Sequence, residues 1–488
     1  MLKKIENTLL EIFFLVFSVY ALVYNLLTIE KMGIIKIILV IIIFISLGYL
    51  LKKVFLKKER KLLNCISIII LVLNLILLII LGYNLKVDLT WDYGTIQKNA
   101  ISFATLGEFN FDNVHYFMRY PTNELIFVVI AYVYRLANVI FGVTNINTFK
   151  NISIAIDIIL IEISYIITYK LTSKYQSKKV GILAIIMLLV TLPMGVYSSI
   201  YYSDVLVLFS FPLMFLLYLK YNDTKKIRYL ILLGLVSIIG FNIKATAILA
   251  LFAIFIDIVF SYDFKNILKG ILIPLIVFVF GNMLMGNLTN NILGITDEDL
   301  NRYEFPHTHH IMMMLNKTGG FVQEDVNYTN SFETKKEKTD ANMKVIKERL
   351  QERGTSGTLK HLFYTKFIRT WGDDTFSSSD YASRGTMKNN IITDFVTVPG
   401  KYHSYYQAYT ETIYIITLVG LVLSFSLKSD NKLICLSKRT ILLVALFLTL
   451  WECNSRYVIQ IMPIIAIVSA YGYSLLINKL YQRKEVKK

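Results

Sequence analysis

The chain has little of what a soluble enzyme of its length is built from. Only 17% of its 488 residues are charged, against roughly a quarter in soluble domains. With a mean hydropathy of +0.55, that shortage excludes a soluble globular enzyme. Its three cysteines, Cys65, Cys435 and Cys453, are too few and too scattered for a disulfide framework or a zinc site. There is no Gly-rich phosphate loop ending in Gly-Lys-Ser/Thr, no Gly-x-Ser-x-Gly elbow and no dinucleotide fingerprint. Nucleotide-driven transport and the common soluble chemistries lose support with them. Acidic residues are also scarce, 34 against 51 basic ones, giving a formal charge of +17. In a soluble protein that excess would suggest nucleic acid, so where the charges lie matters more than their sum.

What is abundant is apolar sequence in runs of membrane-spanning length, separated by short Lys-rich stretches. The pattern predicts an all-α polytopic membrane protein of about twelve spans. Three precede the first long loop: Leu9 to Ile29, Ile34 to Leu51 and Leu62 to Tyr83. Six follow it: Ile146 to Leu171, Val180 to Ser199, Val205 to Leu219, Tyr229 to Ile243, Ala245 to Phe260 and Ile271 to Met285. Ala408 to Leu427, Thr440 to Trp451 and Tyr457 to Ile477 close the chain. The first run lacks a small-residue cleavage site and reads as an anchor.

Lys and Arg near span ends stay cytoplasmic. Lys3 and Lys4 therefore put the N terminus inside, together with the cluster from Lys52 to Lys61, the loops Lys170 to Lys179, Lys220 to Arg228 and Lys428 to Arg439, and the tail from Lys479. With the inward turn 261–270 these segments hold 27 of the 51 basic residues and six of the 34 acids, whereas the segment 286–407 has 15 of each sign. The basic excess reflects orientation in a bilayer and not affinity for nucleic acid. The chain thus divides into an N-terminal set of spans (1–83), a first outward loop (84–145), a central set (146–285), a large outward loop (286–407) and a C-terminal set with a basic cytoplasmic tail (408–488). Pro121 to Gly142 is apolar but carries Arg135 in its middle, and counting it as a span would invert the charge pattern downstream. It reads as a helix along the outer surface, opened by Pro121.

Chemistry is expected at the outer ends. The first loop contains Leu89-Thr90-Trp91-Asp92-Tyr93-Gly94, then Tyr120-Pro121-Thr122-Asn123. A carboxylate just after a span can deprotonate a hydroxyl or hold a cation, although Asp92 reads equally as a solvated loop residue beside interfacial aromatics. Tyr201-Tyr202-Ser203-Asp204 returns a second acid to the same face, where Asp204 also suits a helix cap. Lys244 sits between two apolar segments, either facing an anion or snorkelling to the interface. Arg456, in Trp451-Glu452-Cys453-Asn454-Ser455-Arg456-Tyr457, is an outward Arg that calls for an anionic partner. In the large loop His307, His309 and His310 lack the i, i+4 spacing of a metalloprotease site, and line a cleft or pack the loop on the membrane. Asp157, Glu162, Asp257, Glu11 and Glu452 fall in or at spans, and Asp157 and Glu162 have no evident partner in the sequence.

The order of Asp92 in the first outward loop, a surface helix from Tyr120-Pro121 to Phe141-Gly142, a span into a basic turn, and Tyr202-Ser203-Asp204 resembles the GT-C glycosyltransferases, the group of protein O-mannosyltransferases and aminoarabinose transferases. The resemblance implies a GT-C fold and transfer of a sugar, with inversion, from a polyprenyl-phosphate carrier to an acceptor outside the cytoplasmic membrane. It implies Asp92 as base on the acceptor hydroxyl, Asp204 as the acid that positions acceptor or cation, and Lys244 meeting the donor phosphate. Arg456, Tyr120, His307 and His309 join Lys244 as expected substrate contacts. A divalent cation, Mg or Mn, is left open. The acceptor is read as a cell-wall or surface polysaccharide, with a protein as the other choice. A polysaccharide polymerase and a non-enzymatic lipid-linked sugar flippase are the alternatives, but the polar candidates cluster at span ends rather than mid-span.

Overall fold

The computed structural model describes residues 2–27, 34–56, 60–427 and 431–485. The end of the first expected span at Ile29, the basic residues Lys57, Lys58 and Lys428, and the last three residues of the tail lie outside that description. Every regular element among the described residues is helical.

Among the described residues, eight helices are long and apolar enough to cross a membrane, or nine if a pair bent by 65° counts as one span. They are Leu2–Leu27, Lys61–Leu85, Pro121–Phe141, Ile146–Tyr175, Ser203–Thr224, Phe264–Leu293, His403–Leu423 and Ser455–Leu480, and the bent pair is Lys178–Val190 with Leu192–Ser199. The twelve spans expected from hydropathy exceed this because several apolar runs are short. Arg228–Ile243 has 16 residues, about 24 Å at about 1.5 Å per residue, less than a hydrocarbon core of roughly 30 Å. Ala245–Ser261 is short in the same way, whereas the helix Ile34–Leu56, with 23 residues, has the length of a span. Pro121–Phe141, expected on the membrane surface, has the length and composition of a span. Its mid-segment Arg135 has a partner within the protein. The guanidinium donates to the Ala104 carbonyl at 2.8 Å, at the C-terminal end of helix Trp91–Leu106, where helix dipoles favour a cation.

Burial separates centre from rim. The apolar windows of Ser455–Leu480 and Ser203–Thr224 are 83% and 78% buried, that of Phe264–Leu293 only 11%. Small residues set the closest approach in the centre, where a Cβ on Gly472 would lie 2.0 Å from the Gly420 carbonyl oxygen, so two spans meet backbone to backbone. The chain from Asp297 to Lys360 forms three short helices and the 26-residue helix Lys335–Lys360, with a core of their own built on Met312, Met314, Leu315 and Ile346. The following segment returns to the bundle, where the Trp371 carbonyl accepts from Asn25 and Tyr414 and the Phe376 carbonyl from Tyr197.

The basic segments meet at one end of the bundle and pair with acids there. Asp257 takes Lys3 at 2.5 Å and the Tyr218 hydroxyl at 2.6 Å, with Lys432 at 3.8 Å. Arg439 reaches Glu6 at 2.5 Å. Glu11 and Lys438, both buried, pair at 2.7 Å, and Glu11 also accepts from the Ser426 amide. Of the acids expected in spans, Glu162 accepts from Asn74 at 2.7 Å, while Asp157 keeps both carboxyl oxygens buried without a hydrogen-bond partner.

Removing one half of a buried ion pair strands the other charge, at a cost of about 3 to 5 kcal/mol, whereas replacing both halves with apolar groups does not. Glu11→Leu and Lys438→Met are each expected to lower the unfolding temperature of the purified protein sharply, and the double substitution to recover most of the loss. A double substitution as unstable as the worse single one would contradict the pairing.

Candidate active site

The end opposite the basic cluster holds the sequence-predicted residues. Helix Ser203–Thr224 has Asp204 at its start and Asp223, paired with Lys174, in its last turn. Lys244 is the extended residue (φ −154°, ψ 118°) that ends helix Arg228–Ile243 and opens the turn Ala245–Ala247, so its side chain leaves the chain at the same end.

Asp92 lies in the first turn of helix Trp91–Leu106. Trp91 before it has φ +52°, unusual for a bulky residue, and Gly94 is required because a Cβ there would sit 2.4 Å from the Leu89 carbonyl carbon. Two tyrosines from different parts of the chain hold the half-buried carboxylate. The Tyr202 hydroxyl donates to Oδ2 at 2.7 Å, and the Tyr116 hydroxyl donates to the same carboxylate while accepting from Asn123 at 2.9 Å. Burial, and then the Asp92 charge, push both hydroxyls well above the usual tyrosine value, so both stay donors. Tyr120 stands beside them, its ring 5.1 Å from Tyr116.

Asp204 is completely buried and meets two cations. Lys244 pairs with Oδ1, and Arg456 Nε lies 3.0 Å from Oδ2, an ion pair outside hydrogen-bond geometry. Arg456 donates to the Tyr381 hydroxyl and packs over Tyr202, Tyr381 and Tyr457, with ring centroids 4.6, 5.1 and 5.2 Å away. Lys244 Nζ sits 4.3 Å over Tyr457. The Tyr457 hydroxyl donates to Glu452 at 3.1 Å, and burial lifts the Glu452 carboxyl above its usual range. Two cations on one acid leave a surplus positive charge in an aromatic, low-dielectric wall, with Asp92 one tyrosine away. The turn bearing Arg456 is itself anchored. Asn454 caps the Arg456 amide at 3.0 Å, and Ser455 donates to Asp373 at 2.6 Å.

Asp92, Asp204, Lys244, Arg456 and Tyr120 therefore converge. His307 and His309 stand apart. His307 is exposed beside Trp451, 6.0 Å between rings, with His310 stacked on the same indole at 4.9 Å. His309 is buried and bonds Thr329 at 2.7 Å, which in turn bonds Asn342, so it ties loop helices together. Burial pushes His309 down to about 3 and His310 to about 4, leaving both neutral and unable to offer charge to a phosphate. Among the described residues no group of three or more His, Cys, Asp or Glu is placed to hold a metal ion. Asp92 and Asp204 do not fit a shared divalent cation, since Asp204 already turns an oxygen to each of Lys244 and Arg456.

Sequence reading passed over Tyr116, Tyr381, Tyr457 and the part played by Glu452. Glu452 and Tyr457 flank Arg456 within one short motif, and that spacing was the available signal. Tyr116 and Tyr381 are two of 32 tyrosines and carry no local mark.

The fold is that of an integral, multi-pass membrane protein with a charged site at one end of the bundle. The chain matches the family described as "Conserved hypothetical integral membrane protein" over residues 5–475, and it belongs to that family. No curated protein matches it. Among solved structures it is similar to the oligosaccharyltransferase of Archaeoglobus fulgidus tethered to an acceptor peptide containing the NVT sequon, at 12% identity, covering 88% of this chain and 51% of that one, with a TM-score of 0.45. The apo form of that enzyme gives 12% identity, 85% and 56% coverage and a TM-score of 0.34. The chain thus spans about half the length of these structures.

Asp204 and Asp92 should respond differently to neutralisation. Asp204→Asn leaves two buried cations facing each other, and a marked loss of folded yield and of unfolding temperature is expected, on the scale of about 3 to 5 kcal/mol. Asp92→Asn keeps the tyrosine contacts and should unfold within a degree or two of wild type, about 0.5 kcal/mol. Equal stability of the two variants would refute the assigned difference.

Proposed function

We propose that this protein is a membrane glycosyltransferase that moves a sugar from a polyprenyl-phosphate donor to a hydroxyl of an extracytoplasmic acceptor, a cell-wall or surface polysaccharide, with inversion. The observation that carries the reading is the juxtaposition of a solvent-reachable carboxylate, Asp92, with a buried double cation on Asp204. That pairing is what attack on an anomeric centre with a phosphate leaving group requires.

In this mechanism Asp92 takes the proton of the acceptor hydroxyl as its oxygen bonds to the anomeric carbon. The bond from that carbon to the donor phosphate oxygen breaks on the opposite face, and the polyprenyl phosphate leaves with the electron pair. Lys244 and Arg456 supply fixed positive charge where negative charge grows, in a wall that does not reorganise as water would. Asp204 holds them in place rather than touching the acceptor. Tyr202 and Tyr116 orient the Asp92 carboxylate, and Tyr120 with the surrounding rings offers apolar faces to a pyranose. The basic clusters at the far end of the bundle favour placing this end outside the cell.

The test is transfer in membranes supplied with a radiolabelled polyprenyl-phosphate sugar. Asp92→Asn is expected to lose about 10²- to 10⁴-fold in rate at normal expression. Tyr202→Phe should lose less, because Tyr116 still holds the carboxylate. Full activity of Asp92→Asn would sink the assignment, and translocation of the carrier lipid without product would favour a flippase.

A further inference from the structure

The span Lys178–Val190 with Leu192–Ser199 breaks at Thr191, which has φ −80° and ψ 78°, and Pro193 just beyond denies the helix a donor. Broken backbone at membrane depth is tolerated where neighbouring groups satisfy it or where it lines a cavity. Both hold here. The Tyr409 hydroxyl donates to the Val190 carbonyl at 2.9 Å and Tyr165 to the Leu188 carbonyl at 3.2 Å. The break opens onto a small cavity whose polar lining includes Thr191, Asp374, Thr410, Tyr414 and Thr417, with room for about one water-sized guest.

The chemistry of that lining is one-sided. Asp374 accepts from the Thr410 hydroxyl, and no Lys or Arg among the described residues forms an ion pair with it. The C-terminal end of helix Lys178–Val190 adds the negative end of a helix dipole. The Thr191 hydroxyl donates to the Met187 carbonyl at 2.7 Å and the Thr417 hydroxyl to the Ile413 carbonyl at 2.9 Å, so both keep oxygen lone pairs to share. A carboxylate, hydroxyl oxygens and a helix C-terminus around a space for one small guest are hard oxygen ligands without a countercharge.

We propose that this cavity is a binding site for a monovalent alkali cation, held by the Asp374 carboxylate with threonine hydroxyl oxygens at the broken span. One carboxylate balances one positive charge, which disfavours a divalent ion. The site is separate from the sugar-transfer reading. It does touch its scaffold, since the neighbouring Asp373 anchors Ser455 beside Arg456. Burial raises the Asp374 carboxyl to about 7. The other titratable groups facing Asp374 are Asp373 on its own turn and Tyr406 and Glu411 on helix His403–Leu423, with Tyr414 on the same helix lining the cavity.

The experiment is thermal unfolding of the purified full chain at constant ionic strength, with NaCl or KCl replacing choline chloride, alongside equilibrium binding of radioactive sodium. Wild type should be stabilised saturably by Na⁺ or K⁺ over choline, by about 5 °C at saturation, and should bind the label displaceably. Asp374→Asn should lose the cation response while remaining at least as stable as wild type in choline, and Thr417→Val should weaken it. Identical curves in all three salts with no displaceable sodium, or an undiminished response in Asp374→Asn, would overturn the proposal.

Discussion

A carboxylate buried among membrane helices persists as an ion only where opposite charge meets it, and Asp204 meets two. Lys244 arrives from the turn between two short helices and Arg456 from the turn before the last span, so one acid fixes three stretches of chain at one end of the bundle. Neither cation would stay desolvated there alone. Together with Asp204 they leave one positive charge over, enclosed by Tyr202, Tyr381 and Tyr457, and that surplus is what an anionic ligand would meet.

The same arrangement separates two acids that look alike in sequence. Asp204 is committed to its cations and fully enclosed. Asp92, half-buried and held only by tyrosine hydroxyls that remain protonated, can exchange a proton with an incoming group. Environment, not residue type, divides the roles. Ion pairs do comparable work at the opposite end, where Glu6 and Glu11 fasten the first helix to helix Lys432–Thr449 and Asp257 fastens it to helix Ala245–Ser261.

Much of this was legible in the sequence because hydropathy and charge act over long stretches. The helical class, most span positions and the grouping of Asp92, Asp204, Lys244 and Arg456 at one face followed from which runs are apolar and which span ends are basic. Less followed where a local signal has two physical solutions. Arg135 in an apolar segment reads as a mark of the membrane surface, and a neighbouring helix C-terminus that accepts its guanidinium at 2.8 Å offers a second solution. Short helices such as Arg228–Ile243 read as spans because hydropathy does not see where a helix stops. The clustered histidines read either as lining a cleft or as packing the loop, and His309 packs the loop core through Thr329. Tyr116 and Tyr381 were invisible because they lie far along the chain from the residues they contact.

The central claim is that the Asp204-held pair of cations is an anion site and that Asp92 is not part of it. Binding of a short-chain polyprenyl phosphate without sugar to the purified protein tests this most directly. Lys244→Gln leaves Asp204 paired with Arg456, so the fold should survive. The account predicts at least a tenfold rise in Kd for Lys244→Gln, about 1.4 kcal/mol, with the Kd of Asp92→Asn unchanged. A Kd unaffected by Lys244→Gln in a folded protein would contradict it.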